Sequence, residues 1–317
     1  MFTLYATDDM MSLAGNVTGV IKSITRKLFP DGTPNIFIEG IDEIMRGTTS
    51  RDVVYFTQYH TMEQKMIEQM IMHVLADTLG IDRLTIIDLF DPLATMERVD
   101  TDKEGTVATA NVDAHFWKTL PRPDSGKKIR RVLFDHHTLQ NRFFFSGGNT
   151  SVVFLSAMPL IEALLTPKLD AVAFPDEGAY KRFGTFFKSK GYDIIVCGKV
   201  RVGNQRIVKI TDPGPIGVPV AKKIIIIDDL VRSGGTLIAC AHALRAEGAV
   251  TVNVFVTHAQ FPNESWKKFT GAAATTTGIN EFITTNTIPK VSSVLADYPE
   301  TFKVLDVMPL VHDYCLK

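Results

Sequence analysis

Hydrophobic and polar positions alternate between two periods along the first half of the chain. Short runs rich in β-branched residues predict strands at 52–57, 84–89 and 131–134. Between the first two runs, Met62, Met66, Met70 and Val74 recur every four residues, which predicts a helix with one apolar stripe. We interpret this stripe as part of the hydrophobic core. Strands that alternate with helices are typical of a parallel sheet with crossover helices.

The second half of the chain repeats this alternation. Strands are predicted at 171–174, 194–197, 206–210, 223–227 and 252–257, and helices at 178–189 and 236–248. The run at 223–227 is almost wholly apolar, as expected for a strand buried on both faces. The pattern breaks around Gly147-Gly148-Asn149, and we place a domain boundary there. The repeated order suggests that the two halves are copies of one α/β unit.

Composition narrows the class of protein. The 317 residues are 45% apolar, which is enough for two domains of about 150 residues with full cores. Lys plus Arg number 34 and Asp plus Glu 35, so the net charge is −1. A nearly neutral chain has no general attraction to nucleic acid or membrane surfaces, and neither partner is expected. The charge balance does not exclude a small anionic ligand that is held by local charge.

The cysteines, the first residues and the longest apolar stretch indicate the cellular compartment of the protein. Cys197, Cys240 and Cys315 lack the paired spacing of a disulfide framework or a structural zinc site, so a reducing compartment is expected. The first fifteen residues have no basic segment followed by an apolar core, which is the pattern of a signal peptide. The longest apolar stretch, 152–165, is too short to cross a bilayer. We therefore expect a cytoplasmic protein.

One segment carries the chemistry. After the buried strand at 223–227 come Asp228 and Asp229, and then Ser233-Gly234-Gly235-Thr236 at the start of a helix. Ligands of parallel sheets bind at the carboxyl ends of strands, and a helix N-terminus favours a phosphate. Two carboxylates would repel phosphate but can accept hydrogen bonds from two neighbouring hydroxyls. The combination describes a ribose 5-phosphate site. A turn with solvated acidic residues is the alternative interpretation.

This segment resembles the loop that binds phosphoribosyl diphosphate (PRPP) in type I phosphoribosyltransferases and ribose-phosphate diphosphokinases. Other segments resemble diphosphokinase motifs, in the order of that family: Phe-Asp-His-His-Thr-Leu-Gln-Asn-Arg-Phe-Phe-Phe at 134–145, Ala-Phe-Pro-Asp-Glu-Gly-Ala at 173–179 and Val-Thr-His-Ala-Gln-Phe at 256–261. Phe-Pro-Asp-Gly-Thr-Pro-Asn at 29–35 and Met-Glu-Arg at 96–98 look closest to the plant-like class II branch. The resemblance covers the chain from about Phe29 onward.

The resemblance implies a fold, a reaction and roles for residues. The fold is two tandem phosphoribosyltransferase-like domains, 1–148 and 149–299, with 300–317 returning to the first domain and its strand at 303–307. The reaction transfers the β,γ-diphosphoryl group of ATP to the 1-hydroxyl of ribose 5-phosphate, giving PRPP and AMP with Mg²⁺. The implied residues are Lys199 and Arg201 for catalysis in a flexible loop, Phe29, Asp31, Arg98 and His137 for ATP, and His137 and Asp176 for the metal. His136 is interpreted as a packed or solvent-facing residue at the strand end, and a second metal ligand is the alternative.

The sequence also departs from the main branch of the family. An Arg-Gln-Asp type of nucleotide motif is missing around 95–99, and Arg232 stands where an acidic residue is common. The family predicts a homo-oligomer, whether a dimer, a trimer or a hexamer. Two alternatives stay open: a catalytically silent, PRPP synthetase-associated regulatory protein, and a phosphoribosyltransferase. Retention of Lys199, Arg201 and the acidic pair disfavours the first, and two tandem halves disfavour the second.

Overall fold

Parallel strand pairing dominates both halves of the chain. The computed structural model describes residues 2–8, 10–17, 19–78, 80–99, 103–165, 169–202, 205–214, 217 and 222–316, without the side chains of 201, 202 and 205–207. The chain divides into two units by its contacts: Met1–Leu155 with Met308–Lys317, and Ser156–Val307.

The first unit contains a seven-stranded sheet. Its strands are β1 (Thr3–Thr7), β2 (Val20–Leu28), β3 (Pro34–Ile38), β4 (Asp52–Thr57), β5 (Arg83–Asp88), β6 (Ile129–Phe134) and β7 (Thr150–Leu155). They lie in the order β3-β2-β1-β4-β5-β6-β7, and only β3 runs antiparallel to its neighbour. The helices of this unit are α1 (Met11–Ala14), α2 (Ile41–Met45), α3 (Met62–Asp77), α4 (Thr109–Lys118), a 3-10 helix (Leu139–Phe145) and the C-terminal helix Met308–Cys315.

The second unit contains a sheet of the same size. Its strands are β8 (Ala171–Phe174), β9 (Asp193–Val202), β10 (Gln205–Asp212), β11 (Lys223–Val231), β12 (Thr251–Ala259), β13 (Glu281–Thr285) and β14 (Phe302–Leu305). Its helices are α5 (Met158–Glu162), α6 (Glu177–Ser189), α7 (Gly235–Ala246), a short helical segment (Pro262–Phe269), α8 (Gly271–Ala274) and α9 (Pro289–Leu295). The C-terminal helix Met308–Cys315, which belongs to the first unit, is numbered α10 because it comes last in the chain.

The two sheets have one topology. The second order, β10-β9-β8-β11-β12-β13-β14, reproduces the first strand for strand, and β10 again is the antiparallel member. The central strand β11 buries Ile224 to Ile227, because helices cover both faces of a parallel sheet. The expectation that the two halves are copies of one α/β unit, each a mostly parallel sheet flanked by helices, is therefore confirmed.

The ends of the two units differ from the expected ranges. β7 pairs with β6, so the first sheet continues past Asn149 and the units divide between Leu155 and Ser156. The expected return of a strand at 303–307 to the first domain is wrong. β14 pairs with β13 in the second sheet, and Phe302 packs in the aromatic core of that unit. Only the helix after it belongs to the first unit.

The methionine stripe of α3 also differs from the expectation. The helix forms, with Thr61 as its N-cap, but Met62, Met66, Met70 and Val74 are 45–56% exposed. The opposite face is buried and includes charged residues, Lys65 and Glu68 among them. The apolar repeat predicts the helix correctly and the buried face wrongly, because ion pairs satisfy charges on the face that packs inward.

Buried charges fill the carboxyl end of the first sheet. The Arg131 guanidinium is fully buried and contacts Asp88 at 2.6 Å, Asp91 at 3.1 Å and Asp113 at 3.3 Å. Lys65 forms an ion pair with Asp113. Burial raises the pKa of Asp88 to about 6.

Asp91 shifts in the opposite direction. Burial alone would raise the pKa of Asp91, but Arg131 and His136 hold it well below its usual range. The His136 Nε2 atom lies 3.4 Å from Asp91 and its ring stacks on Phe154, so His136 is packed and not exposed to solvent.

Removing the central cation tests this network. We expect Arg131→Leu to lower the free energy of unfolding by roughly 3–5 kcal/mol, because it removes a buried cation that contacts three buried carboxylates. The neighbouring Arg130 is exposed, and Arg130→Leu should cost less than about 1 kcal/mol. Urea unfolding measures both values. Equal losses for the two variants would show that the buried network contributes little.

Candidate functional site

The carboxyl ends of three adjacent strands bring most of the predicted residues of the second unit to one edge. In the sheet, β9, β8 and β11 are neighbours. Asp176 follows β8, Lys199 lies in β9, and Asp228 and Asp229 lie near the end of β11. The loop 232–234 then leads from β11 into α7. This edge is where ligands of doubly wound sheets bind.

The loop before α7 presents open amide groups. Gly234 is the N-cap, with φ +79°, and no side chain caps the helix. Within the described part of the chain, no acceptor is hydrogen-bonded to the amides of Ser233, Gly234, Gly235 or Thr236. Amide groups at the start of a twelve-residue helix, together with the helix dipole, suit an anion. These open amides are compatible with the phosphate loop that the sequence predicts.

The equivalent helix start in the first unit has two of its amides capped by its own side chains. The helix α3 follows β4 just as α7 follows β11. The Thr61 hydroxyl accepts a hydrogen bond from the Gln64 amide at 3.2 Å, and the Gln64 side chain accepts one from the His60 amide at 2.8 Å. This reciprocal capping uses donors that α7 leaves open. The two copies of the fold therefore differ at this helix N-terminus.

An acidic group lies beside the phosphate loop. The Asp229 amide donates to Asp228 Oδ1 at 2.9 Å, and Asp229 is buried. Burial, the charge of Asp229 and the charge of Asp176 raise the pKa of Asp228 well above its usual range. Asp176 caps α6 by accepting from the Ala179 amide at 3.0 Å. Three carboxylates repel one another here, so the group favours hydroxyl donors or a cation.

The predicted catalytic residues lie on a hairpin that extends past the sheet. The last residue pair between β8 and β9 is Phe174 with Val196, yet β9 continues to Val202. Lys199 and Arg201 are three and five residues beyond that pair, or roughly 10 and 16 Å at about 3.3 Å per residue. Both residues are expected from the sequence in a flexible loop, but they lie within β9, opposite β10. Lys199 is exposed, and the Arg201 side chain lies outside the described residues.

The residues predicted to contact ATP belong to the first unit. Phe29 and Asp31 lie at the tip of the β2–β3 hairpin, which likewise extends past its neighbour β1. The hydroxyl and the amide of Thr33 donate to Asp31 and lower its pKa. Arg98 lies in the irregular segment after β5, and His137 follows β6. Phe29, Arg98 and His137 are exposed.

Magnesium would need oxygen atoms from bound substrates. Among the residues that the structure describes, no cluster of three or more His, Cys, Asp or Glu side chains is arranged to hold a metal. The mutual repulsion of Asp176, Asp228 and Asp229 nevertheless fits a hard cation, because carboxylate oxygens are the ligands that Mg²⁺ prefers. The donor set present fits magnesium in a mixed shell of protein, substrate and water.

Sequence reasoning missed the buried charges of the first unit. Arg131, Asp88 and Asp91 occupy the edge of the first sheet that corresponds to the loop edge of the second. The available signal was an arginine inside an apolar strand with aspartates at the end of the preceding strand. The contacts of Pro262–Phe269 with the phosphate loop gave no sequence signal, because they join residues more than thirty positions apart.

The fold and the site define an α/β protein of the phosphoribosyltransferase-like class with two copies of the fold. A family profile described as "Phosphoribosyl synthetase-associated domain" matches residues 204–314. The chain is 35% identical over 315 residues to "Ribose-phosphate pyrophosphokinase 3, chloroplastic" of Oryza sativa subsp. japonica, covering 96% of this chain and 73% of that protein. It is 34% identical over 299 residues to "Ribose-phosphate pyrophosphokinase 4" of the same plant, covering 92% and 87%.

The chain belongs to the ribose-phosphate pyrophosphokinase family, whose members make PRPP. The resemblance to the plant-like branch is thereby confirmed. The crystal structure of phosphoribosylpyrophosphate synthetase from Mycobacterium smegmatis matches 99% of this chain with a TM-score of 0.74 at 21% identity, covering 97% of that chain. At that identity the match supports the fold. Within the described residues, no helix has the length and apolar character needed to cross a membrane.

A substitution at Gly234 tests the loop conformation. A Cβ atom there would lie 2.5 Å from Cζ of the buried Phe269, at a φ that side chains disfavour. We expect Gly234→Ala to lower the free energy of unfolding by roughly 1–3 kcal/mol. A Cβ at Gly235 meets nothing closer than 3.9 Å, so Gly235→Ala should change it by less than about 0.5 kcal/mol. Urea unfolding compares them, and a neutral Gly234→Ala would contradict the described loop.

Proposed function

We propose that the loop edge of the second unit binds ribose 5-phosphate and that the chain transfers to it the β,γ-diphosphoryl group of ATP, releasing PRPP and AMP. The observation that carries this proposal is the row of open amides at Ser233 to Thr236, next to Asp228 and Asp229. The corresponding helix of the first unit is capped by its own side chains. Only the second copy is therefore assigned the sugar phosphate.

Each part of ribose 5-phosphate has complementary groups at this edge. The 5-phosphate accepts hydrogen bonds from the amides of 233–236 and from the hydroxyls of Ser233 and Thr236. The neighbouring 2- and 3-hydroxyls donate to Asp228 and Asp229. These contacts hold the sugar at both ends and leave the 1-hydroxyl to react, and orientation of this kind contributes much of the rate in phosphoryl transfer.

We propose that cations of the β9–β10 hairpin stabilise the charge on the group that is transferred. Lys199 and Arg201 occupy alternate positions of β9, which supports assigning them a common role. Their proposed role is to stabilise the negative charge that spreads over the transferring group. As the resemblance implies, His137 and Asp176 are each assigned to Mg²⁺, whose remaining ligands would be phosphate oxygens and water. When bound, the metal neutralises charge on the ATP phosphates.

The hairpin tip of the first unit supports the proposed ATP contacts. Phe29 is about half exposed, and Asp31 is held in place by Thr33. An exposed aromatic ring next to a fixed carboxylate offers stacking and a hydrogen-bond acceptor to an adenine with its amino group. Arg98 and His137 are assigned to the ATP phosphates, as the resemblance implies. These roles remain proposals.

The decisive test is an assay of purified protein with ATP, Mg²⁺ and ribose 5-phosphate. AMP and PRPP should appear together on chromatography. We expect Lys199→Ala to lower kcat by roughly 10²–10³-fold with little change in KM, because its contact forms with the transition state. A loss confined to KM would move Lys199 to substrate binding.

Two negative outcomes identify the alternatives. No product despite binding of ribose 5-phosphate or PRPP would indicate the silent regulatory protein. PRPP consumption with a nucleobase or orotate would indicate a phosphoribosyltransferase.

We also propose that the exposed apolar face of α3 pairs with a second copy of the chain. Met62, Met66, Met70 and Val74 form one stripe along four turns, and methionine adapts well to a self-complementary contact. A stripe this long is costly to leave in water. The pairing agrees with the homo-oligomer expected from the sequence.

Charge placed on the stripe should disrupt the oligomer. We expect Met66→Glu with Met70→Glu to reduce the sedimentation coefficient of the protein, because two carboxylates cannot be buried against their symmetry mates. Phe143→Glu is the matched control, since Phe143 is 70% exposed outside this face. An unchanged oligomer in the double variant would rule out this face.

The cellular location stays a prediction. The sequence suggests a cytoplasmic protein, while one of the two rice relatives carries "chloroplastic" in its name. We propose a reducing compartment, which suits the free, buried Cys197 and Cys240.

A further inference from the structure

The phosphate loop is held from behind by a segment that follows the next strand. The Ser265 hydroxyl donates to the Arg232 carbonyl at 3.1 Å. The Lys268 ammonium donates to the Ser233 carbonyl at 3.2 Å. Both donors belong to the short helical segment Pro262–Phe269, so two consecutive carbonyls of the loop have their partners on one element.

Anchored carbonyls fix the direction of the amides. In a planar trans peptide, the C=O and the following N–H point to opposite sides. Fixing the carbonyls of Arg232 and Ser233 towards the segment therefore turns the amides of Ser233 and Gly234 away from it. The Gly234 carbonyl accepts from the Ile238 amide at 3.0 Å within α7, which orients the Gly235 amide in the same manner. Successive amides aligned in this way form a concave anion site.

The segment is rigid enough to hold the loop. Phe269 is buried among Phe261, Phe282 and Phe302, with ring centroids 5.0–6.4 Å apart. The Trp266 ring lies 4.8 Å from that of Tyr298. Phe269 also occupies the space that a Cβ of Gly234 would need. The anchor points are therefore fixed by the core of the second unit and do not depend on bound substrate.

We propose that Lys268 is a positioning residue for the 5-phosphate of ribose 5-phosphate. It orients the Ser233–Gly234 peptide so that the amide faces the phosphate, and Ser265 does the same for the preceding peptide. This inference rests on the proposed function of the loop. It adds a specific requirement: the loop sequence alone does not make the site, and an exposed lysine thirty-five residues away completes it.

The chain supplies a matched control in the adjacent lysine. Lys267 carries the same charge on the same segment, but it pairs with Glu264 at 2.6 Å and lies over the Trp266 ring. We expect Lys268→Met to raise KM for ribose 5-phosphate about tenfold, the effect of losing a charged hydrogen bond, with kcat and KM for ATP unchanged. Lys267→Met should change KM by less than about twofold.

Further variants separate positioning from charge and from stability. Lys268→Arg should restore KM, because it keeps a charged donor to the carbonyl, and Ser265→Ala should raise KM without changing charge. The difference between the two Met variants should persist at about 0.5 M salt, where long-range charge effects are screened. A difference that salt abolishes, an Arg variant that fails to rescue, or a fall in kcat equal to the change in KM would overturn the positioning role.

Calorimetry with ribose 5-phosphate tests the role of Lys268 separately from the proposed function of the loop. Wild-type protein and Asp229→Asn are measured beside the lysine variants. If wild-type protein binds and Asp229→Asn binds weakly, the site stands, and equal affinities of Lys268→Met and Lys267→Met would overturn only the role of Lys268. If wild-type protein binds no ribose 5-phosphate, the proposed function and the positioning role both fail.

Discussion

The first turn of a helix leaves up to four amide donors without helical partners, and every such donor needs an acceptor. The two units meet this requirement in opposite ways at the helix that follows the central strand. In α3, Thr61 and Gln64 each supply one side-chain acceptor from the chain itself. In α7, glycine at the N-cap supplies no side-chain acceptor, so its first amides can bind water or an anion. Our assignment of the sugar phosphate to the second of two otherwise equivalent sheets rests on this difference in capping.

The same contrast extends to charge. At the edge of the first sheet, Arg131 and Lys65 form ion pairs with Asp88, Asp91 and Asp113 within the protein. At the edge of the second, Asp176, Asp228 and Asp229 face one another with a raised pKa at Asp228. The carboxylates of the first edge thus have cationic partners within the protein. Those of the second edge are the ones to which we assign the sugar diol.

The sequence predicts the strands, helices and loops of this fold better than it predicts the contacts between them. Continuous apolar residues identify β11, and the order of acids, glycines and helix identifies the phosphate loop, because these signals are local. The buried face of α3 is not predictable from period alone, since Lys65 and Glu68 are buried through partners on distant elements, Asp113 of α4 and Arg26 of β2. The same limit applies to Lys268, whose contact with Ser233 depends on how β11 and β12 are placed side by side.

Because the helix Met308–Cys315 is translated after the second unit, the first unit cannot complete its folding until that helix has been made. It packs in the first unit, with Met308 and Val311 fully buried, although the whole second unit precedes it in the chain. On a ribosome, Ser156–Val307 must be translated before the first unit is complete, a delay of roughly 8–30 s at about 5–20 residues per second. The unit made first is thus the last to be finished. Until then the nascent chain exposes the apolar surface that this helix later covers.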